Sequence, residues 1–166
     1  MSSSRPRLGP FDFRGWFAGP PAAPDAFARA VVLLERGRPG EALVALEEAL
    51  REAADEPARA LVHNKRGVAL RALGRADAAF EAFCVALECH ETSAPALVNV
   101  GNALLESGHA RDAVDYYRAA LRADGTYALA HSNLAAALRA LGDRAGSVRA
   151  LRAAERAAGR RSPGPA

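Results

Sequence analysis

The chain is poor in several residue types. It has two cysteines, Cys84 and Cys89, in 166 residues, too few for a disulfide framework. Aromatic residues make up 6%, which argues against a β-sandwich core of large flat and β-branched side chains. Lysine occurs once, at Lys65, so nearly all the positive charge is arginine; a GC-rich genome produces that bias without any functional demand. No apolar run approaches the roughly 20 residues needed to cross a bilayer. The amino terminus lacks the uninterrupted apolar stretch of a secretory signal, so the expected location is the cytoplasm, with reduced thiols. Gly-rich phosphate loops, nucleophile–base pairs and paired carboxylates are also missing. Neither an enzyme nor a cofactor is expected.

Alanine is abundant, and half the residues are hydrophobic, which suits closely packed helices. The net charge of +3 is unevenly placed: residues 1–22 carry +2, 23–59 carry −3, 60–93 are neutral, 94–127 carry −1 and 128–166 carry +5. Only the two ends are basic. A polyanion-binding protein needs a denser cationic surface, so nucleic acid is not the expected partner.

A step of 34 residues organises the chain. It links Gly67, Gly101 and Ala135; Ala69, Ala103 and Ala137; Leu70, Leu104 and Leu138; and Gly74, Gly108 and Gly142. It also links Ala79, Ala113 and Ser147; Phe83, Tyr117 and Leu151; and Ala86, Ala120 and Ala154. Small residues at 67, 69, 79 and 86 let two helices approach closely. Large ones at 70 and 83 fill the space between them, each worth roughly 1.5–3 kcal/mol when buried. The glycine at 74 falls where one helix must stop and the chain must turn. Each unit is therefore helix, short turn, helix.

The stretches "HNKRGVALRALGRADAAFEAFCVAL", "LVNVGNALLESGHARDAVDYYRAAL" and "HSNLAAALRALGDRAGSVRALRAAE" resemble the tetratricopeptide repeat (TPR) family. Complete units are expected at 60–93, 94–127 and 128–161, and a divergent one, "LLERGRPGEALVALEEAL", at 23–56. Ala135 in place of the usual glycine and Ser147 in place of the usual alanine are expected to loosen packing locally. The fold class is thus all-α, a TPR solenoid of four repeats. Residues 1–22 form an irregular Pro/Gly/aromatic tail, and 162–166 are expected to be disordered. Eight helices are predicted at 24–36, 39–54, 57–73, 76–89, 94–107, 110–123, 127–141 and 143–159. Pro24, Pro39 and Pro57 sit near helix starts, Ser93 and Asp143 are the expected N-caps, and Gly125 is expected to end the sixth helix.

Stacked helix pairs touch only their neighbours, and the resemblance implies that the first helix of each pair lines a concave, peptide-binding wall. The spacing i, i+4, i+7, i+11 assigns Pro24, Ala28, Val31 and Glu35 to it, then Leu61, Lys65, Val68 and Ala72. The later units contribute Pro95, Asn99, Asn102 and Glu106, then Leu129, Asn133, Ala136 and Ala140. Asn64, Arg71, Val98, Ser132 and Arg139 flank this stripe. Asparagine is a poor interior helix former, but its amide both donates and accepts. Asn99 and Asn133 share one repeat position, so a ladder of amides could hold an extended backbone. The family's carboxylate clamp fits poorly: Asn64 and Val68 stand where lysine and asparagine are wanted, and Leu129 and Asn133 where lysine and arginine are wanted. Lys65, Arg71 and Arg139 still suit an acidic peptide. The expected role is an interaction adaptor or assembly factor with a protein or peptide partner.

Two other readings come from other classes. Arg149, Arg152, Arg156 and Arg160 form a stripe that could meet phosphate or an acidic surface; a polar outer face closing the solenoid is the plainer account. "CVALECH", with Cys84, Cys89 and His90, resembles a spaced haem-attachment run or a partial zinc site, but supplies fewer than four ligands. A packed Cys84 and a half-exposed Cys89 are expected instead. His63 and His131 share a repeat position suited to packing, and His90 and His109 fall at helix ends. Finally, "FDFRGWF" gathers Phe11, Phe13, Trp16 and Phe17 within seven residues. Proline and glycine on both sides bar a long helix. The cluster reads as a tail anchor that plugs an apolar surface, on this chain or another.

Overall fold

The computed structural model describes residues 25–161, with no account of the Arg161 side chain. The tail cluster, Pro24 and residues 162–166 lie outside the described residues. Eight helices follow one another: α1 (Ala26–Glu35), α2 (Pro39–Glu52), α3 (Glu56–Ala72), α4 (Ala76–Cys89), α5 (Ala94–Glu106), α6 (Ala110–Ala123), α7 (Ala128–Ala140) and α8 (Arg144–Arg161). They pair as α1/α2, α3/α4, α5/α6 and α7/α8, and each pair packs on the next. The backbones of successive first helices also come close, α1 to α3, α3 to α5 and α5 to α7, whereas those of successive second helices stay farther apart. That asymmetry curves the stack and puts the first helices on its inner wall.

The turns explain the repeat of glycine. Gly37, Gly74, Gly108 and Gly142 all have positive φ, between 69° and 83°. In the second unit Gly74 N–H donates to Arg71 carbonyl at 2.9 Å and Arg75 N–H to Leu70 carbonyl at 3.0 Å. This double closure satisfies the last carbonyls of the helix and needs a left-handed residue at its centre. Gly125 does not have this role: α6 ends on Asp124, whose backbone is extended. At the helix starts Pro39 and Pro57 occupy the first turn, and Asp143 Oδ1 accepts from Gly146 N–H at 2.8 Å. Ser93 is the N-cap of α5 but makes no side-chain cap bond. Asp25 and Asp55 do, to Ala28 and Ala58.

Packing follows the 34-residue columns. Gly67, Ala69, Ala79 and Ala86 are buried, as are Leu70 and Phe83. Phe83, Tyr117 and Leu46 are among the largest fully buried side chains. The fourth unit departs from the pattern. Leu151 stands in the Phe83/Tyr117 column yet is 45% exposed, and Val148, in the column of Phe80 and Val114, is 47% exposed. Earlier units cover these positions with the next pair, and among the described residues nothing follows α8. The closing face is therefore not purely polar: these two apolar residues lie among exposed Arg149, Arg152 and Arg156. Ala135 and Ser147 do not open the unit. Both are buried, and Ser147 Oγ–H donates to Ala135 carbonyl at 2.8 Å.

Candidate binding groove

The inner wall is built of rows that run across the first helices. One row, Leu61, Pro95 and Leu129, is exposed and apolar; Leu61 is 51% and Leu129 50% exposed. The next, Lys65, Asn99 and Asn133, is half-buried and polar. A third is Val31, Val68, Asn102 and Ala136, all half-buried. Arg71, Glu106, Ser132 and Arg139 are exposed at its margins. One turn of helix separates the rows, because positions three and four apart share a face.

Two residues assigned to this wall from the sequence are not on it. Asn64 is 6% exposed and Val98 is 1% exposed. Their column is covered by the following first helix; Ser132, in the same column of the last unit, is exposed because no described helix follows. Asn64 instead works from behind the wall. Its Oδ1 accepts from Asn99 Nδ2–H at 2.8 Å. One unit on, Asn102 Oδ1 accepts from Asn133 Nδ2–H at 2.7 Å and from Tyr117 O–H at 2.8 Å. The asparagines thus form two inter-repeat clasps. Each clasp orients an amide and leaves part of it open: Asn99 and Asn133 each retain Oδ1 and one N–H, and Asn102 retains both its N–H groups.

Tyr117 was not assigned to the site from sequence, because it lies on α6, behind the wall. The signal was there: it occupies the Phe83 column with an added hydroxyl, which needs a partner once buried. Its phenol is pushed up to about 12, first by burial and then by the Glu106 carboxylate. The unfolded phenol ionises near 10. A raised folded pKa stabilises the fold fully below the unfolded value, and that contribution disappears as pH climbs through the folded one. Stability should therefore be flat up to about pH 9 and then decline by about 2 kcal/mol between pH 10 and 12. Denaturant titrations at successive pH values check this, and Tyr117→Phe should lack that part of the decline.

The charges on the wall are few. Arg71 Nη1 lies 3.9 Å from Glu106 Oε1, tying the second unit to the third. Among the described residues no carboxylate lies within ion-pair distance of Lys65 or Arg139. A cavity of about 530 Å³ opens at the turn end of the same seam, between Arg71, Phe80, Leu104, Glu106 and His109. It is not legible from the repeat pattern, which specifies contacts and not the gaps between them.

The cysteine and histidine side chains lie apart from the wall. Cys84 and Cys89 are both free and half-buried, so Cys84 is less packed than its helical position suggests. Burial first, and nearby glutamates second, raise both thiols above their ordinary range, the opposite of a reactive cysteine. Among the described residues no three histidine, cysteine or acidic side chains gather as metal ligands. His63 is half-buried, its Nδ1 has no hydrogen-bond partner, and burial followed by Arg66 and Arg59 lowers its pKa. His131 Nε2 lies 3.1 Å from the Gly125 carbonyl, to which it donates.

The tetratricopeptide repeat family model matches residues 27–94 and 100–164. Among solved structures the chain is similar to MamA, at 18% identity and a TM-score of 0.67, over 81% of this chain and 77% of that one. It is likewise similar to MamA residues 41 to the end from Desulfovibrio magneticus RS-1, at 24% identity and 0.64, over 80% and 73%. YrrB, a TPR protein with an unusual peptide-binding site, aligns at 20% identity and 0.62, over 80% of this chain and 66% of that one. No curated protein matches the chain at a comparable level. No described helix is long and apolar enough to cross a membrane.

Proposed function

The chain belongs to the tetratricopeptide repeat family, whose role is protein–protein interaction, and from that premise we propose that it is an adaptor or assembly factor. Its inner wall takes an extended segment of a partner protein. The observation that carries this reading is the pair of asparagine clasps. Asn99, Asn102 and Asn133 are held in fixed orientations by Asn64, by each other and by Tyr117. All three are half-buried and keep donors or acceptors unused, and Asn99 and Asn133 stand one unit apart. A peptide backbone offers complementary groups on both sides and needs no particular side chains for that contact. Beside this polar track, Pro95 and Leu129 offer apolar contact, and Lys65 and Arg139 favour a segment carrying carboxylates.

Affinity capture from the native cell, with the full chain and with Asn99→Ala/Asn133→Ala, tests the proposal. The captured segment should bind the double variant about 5- to 150-fold more weakly, as loss of two hydrogen bonds of about 0.5–1.5 kcal/mol each implies. Helical content should be retained. Binding that ignores both substitutions and collapses steeply with added salt would assign the partner to the arginines of α8 instead.

A further inference from the structure

A second apolar opening lies at the amino-terminal end of the solenoid. It is a cavity of about 330 Å³ between the start of α1, the end of α2 and the start of α3. Phe27, Ala49, Ala58, Leu61 and Val62 make its walls, and among the described residues Asp25 and Glu52 are the only charged ones lining it. Leu61 is half-exposed there. Neither Asp25 nor Glu52 has a cation within ion-pair distance among the described residues.

We propose that the aromatic run Phe11–Phe17 folds back on its own chain and fills this cavity, with Arg14 set against Glu52 and Asp25. Three observations converge on that occupant. The cavity begins where the tail ends, since Asp25 is both the first described residue and part of the wall. The linker "AGPPAAP", residues 18–24, spans at most about 29 Å over its eight steps, and Gly19 allows it to reverse. A tether that short places the tail at an effective concentration in the millimolar range, so the chain's own tail outcompetes that of a second copy. Charge matches as well: residues 1–22 carry +2 and residues 23–59 carry −3. An aromatic ring seated there removes up to about 150–250 Å² from water. Of the residues on the wall only Leu61 lines this cavity, and none of the clasp asparagines does. This inference is independent of which peptide the wall holds.

Trp16 is the only tryptophan, so intrinsic fluorescence of the full chain reads the tail directly. The expected emission is that of a shielded indole, poorly quenched by acrylamide and unchanged on serial dilution. Leu61→Asp, at an exposed position, should raise the quenching constant severalfold while circular dichroism stays the same. Glu52→Arg should do so more weakly, and Arg14→Glu in the same chain should reverse it. A solvated indole in the unaltered chain would overturn the proposal. So would shielding that disappears on dilution, which assigns the site to a second copy. Shielding indifferent to both Leu61→Asp and Glu52→Arg would place the tail elsewhere and overturn it too.

Discussion

Gly67→Val should destabilise the chain by about 1–3 kcal/mol, a typical cost of inserting methyl groups into a packed core. The reason is local. A Cβ on Gly67 would lie 2.5 Å from Phe83 Cδ1 and 2.8 Å from its Cζ, far inside contact distance. Phe83 cannot swing aside, because it is 1% exposed and packed among Leu70, Ala79, Ala82 and Val100. The third unit has the same arrangement, with a Cβ on Gly101 meeting Tyr117 Cε1 at 2.7 Å. The fourth unit supplies the natural control. There Ala135 faces a column whose aromatic residue is replaced by Leu151, and Ala135 is buried without conflict. Gly67→Ala should accordingly be better tolerated when Phe83→Leu is made in the same chain, giving a coupling of the sign a double-mutant cycle detects. Gly40→Val, where a Cβ meets nothing within 4 Å, should change stability little. Urea denaturation of these four variants and of Phe83→Leu alone decides the matter, and equal losses at Gly67 and Gly40 would contradict it.

Asn102→Leu should cost a further distinct amount, about 1–3 kcal/mol, through polar groups left without partners. Asn102 Oδ1 accepts two bonds, one from Tyr117 and one from Asn133. Asn133 is half-buried and can turn to water. The Tyr117 hydroxyl belongs to a side chain with 0% exposure and has no such recourse. Removing both partners is therefore gentler than removing the acceptor alone. Asn102→Leu with Tyr117→Phe should recover most of the loss, and Tyr117→Phe by itself should cost only about 0.5–1.5 kcal/mol. Hydrogen exchange in α5 and α7 offers a second measurement, since the clasp joins the third unit to the fourth. Faster exchange confined to that seam is expected for Asn102→Leu. A double variant as unstable as the single one would show that the clasp is not what holds the hydroxyl.

Much of the architecture was readable before any coordinates. The 34-residue step, with the divergent first copy aligned through its glycine, located all eight helices to within two residues at each end, and the glycine of each turn was assigned correctly at Gly74 and its counterparts. Those features are local. A glycine that must adopt positive φ and an alanine that must let two helices touch leave marks at fixed intervals in a chain that repeats. Caps were less legible. Asp25 and Asp55 cap through their side chains and were not singled out, whereas Ser93 was and does not, because capping depends on the rotamer as well as the residue type.

The wall was only partly legible. Helical spacing correctly put Asn99, Asn102 and Asn133 on one face, but it could not distinguish Asn64 and Val98 from their exposed neighbours. A single helix defines which residues share a direction; whether that direction meets water depends on the helix that stacks beside it. The same reasoning accounts for Leu151, which the columns place with Phe83 and Tyr117 and which stays exposed because no described unit covers it. Composition and period alone thus specified an all-α repeat, its turns and the residue types of the core. Burial of Asn64, the clasp that recruits Tyr117, the exposed closing face and the cavity beside Leu61 were decided only by the stacking of one unit on the next, since each depends on contacts between residues far apart in the chain.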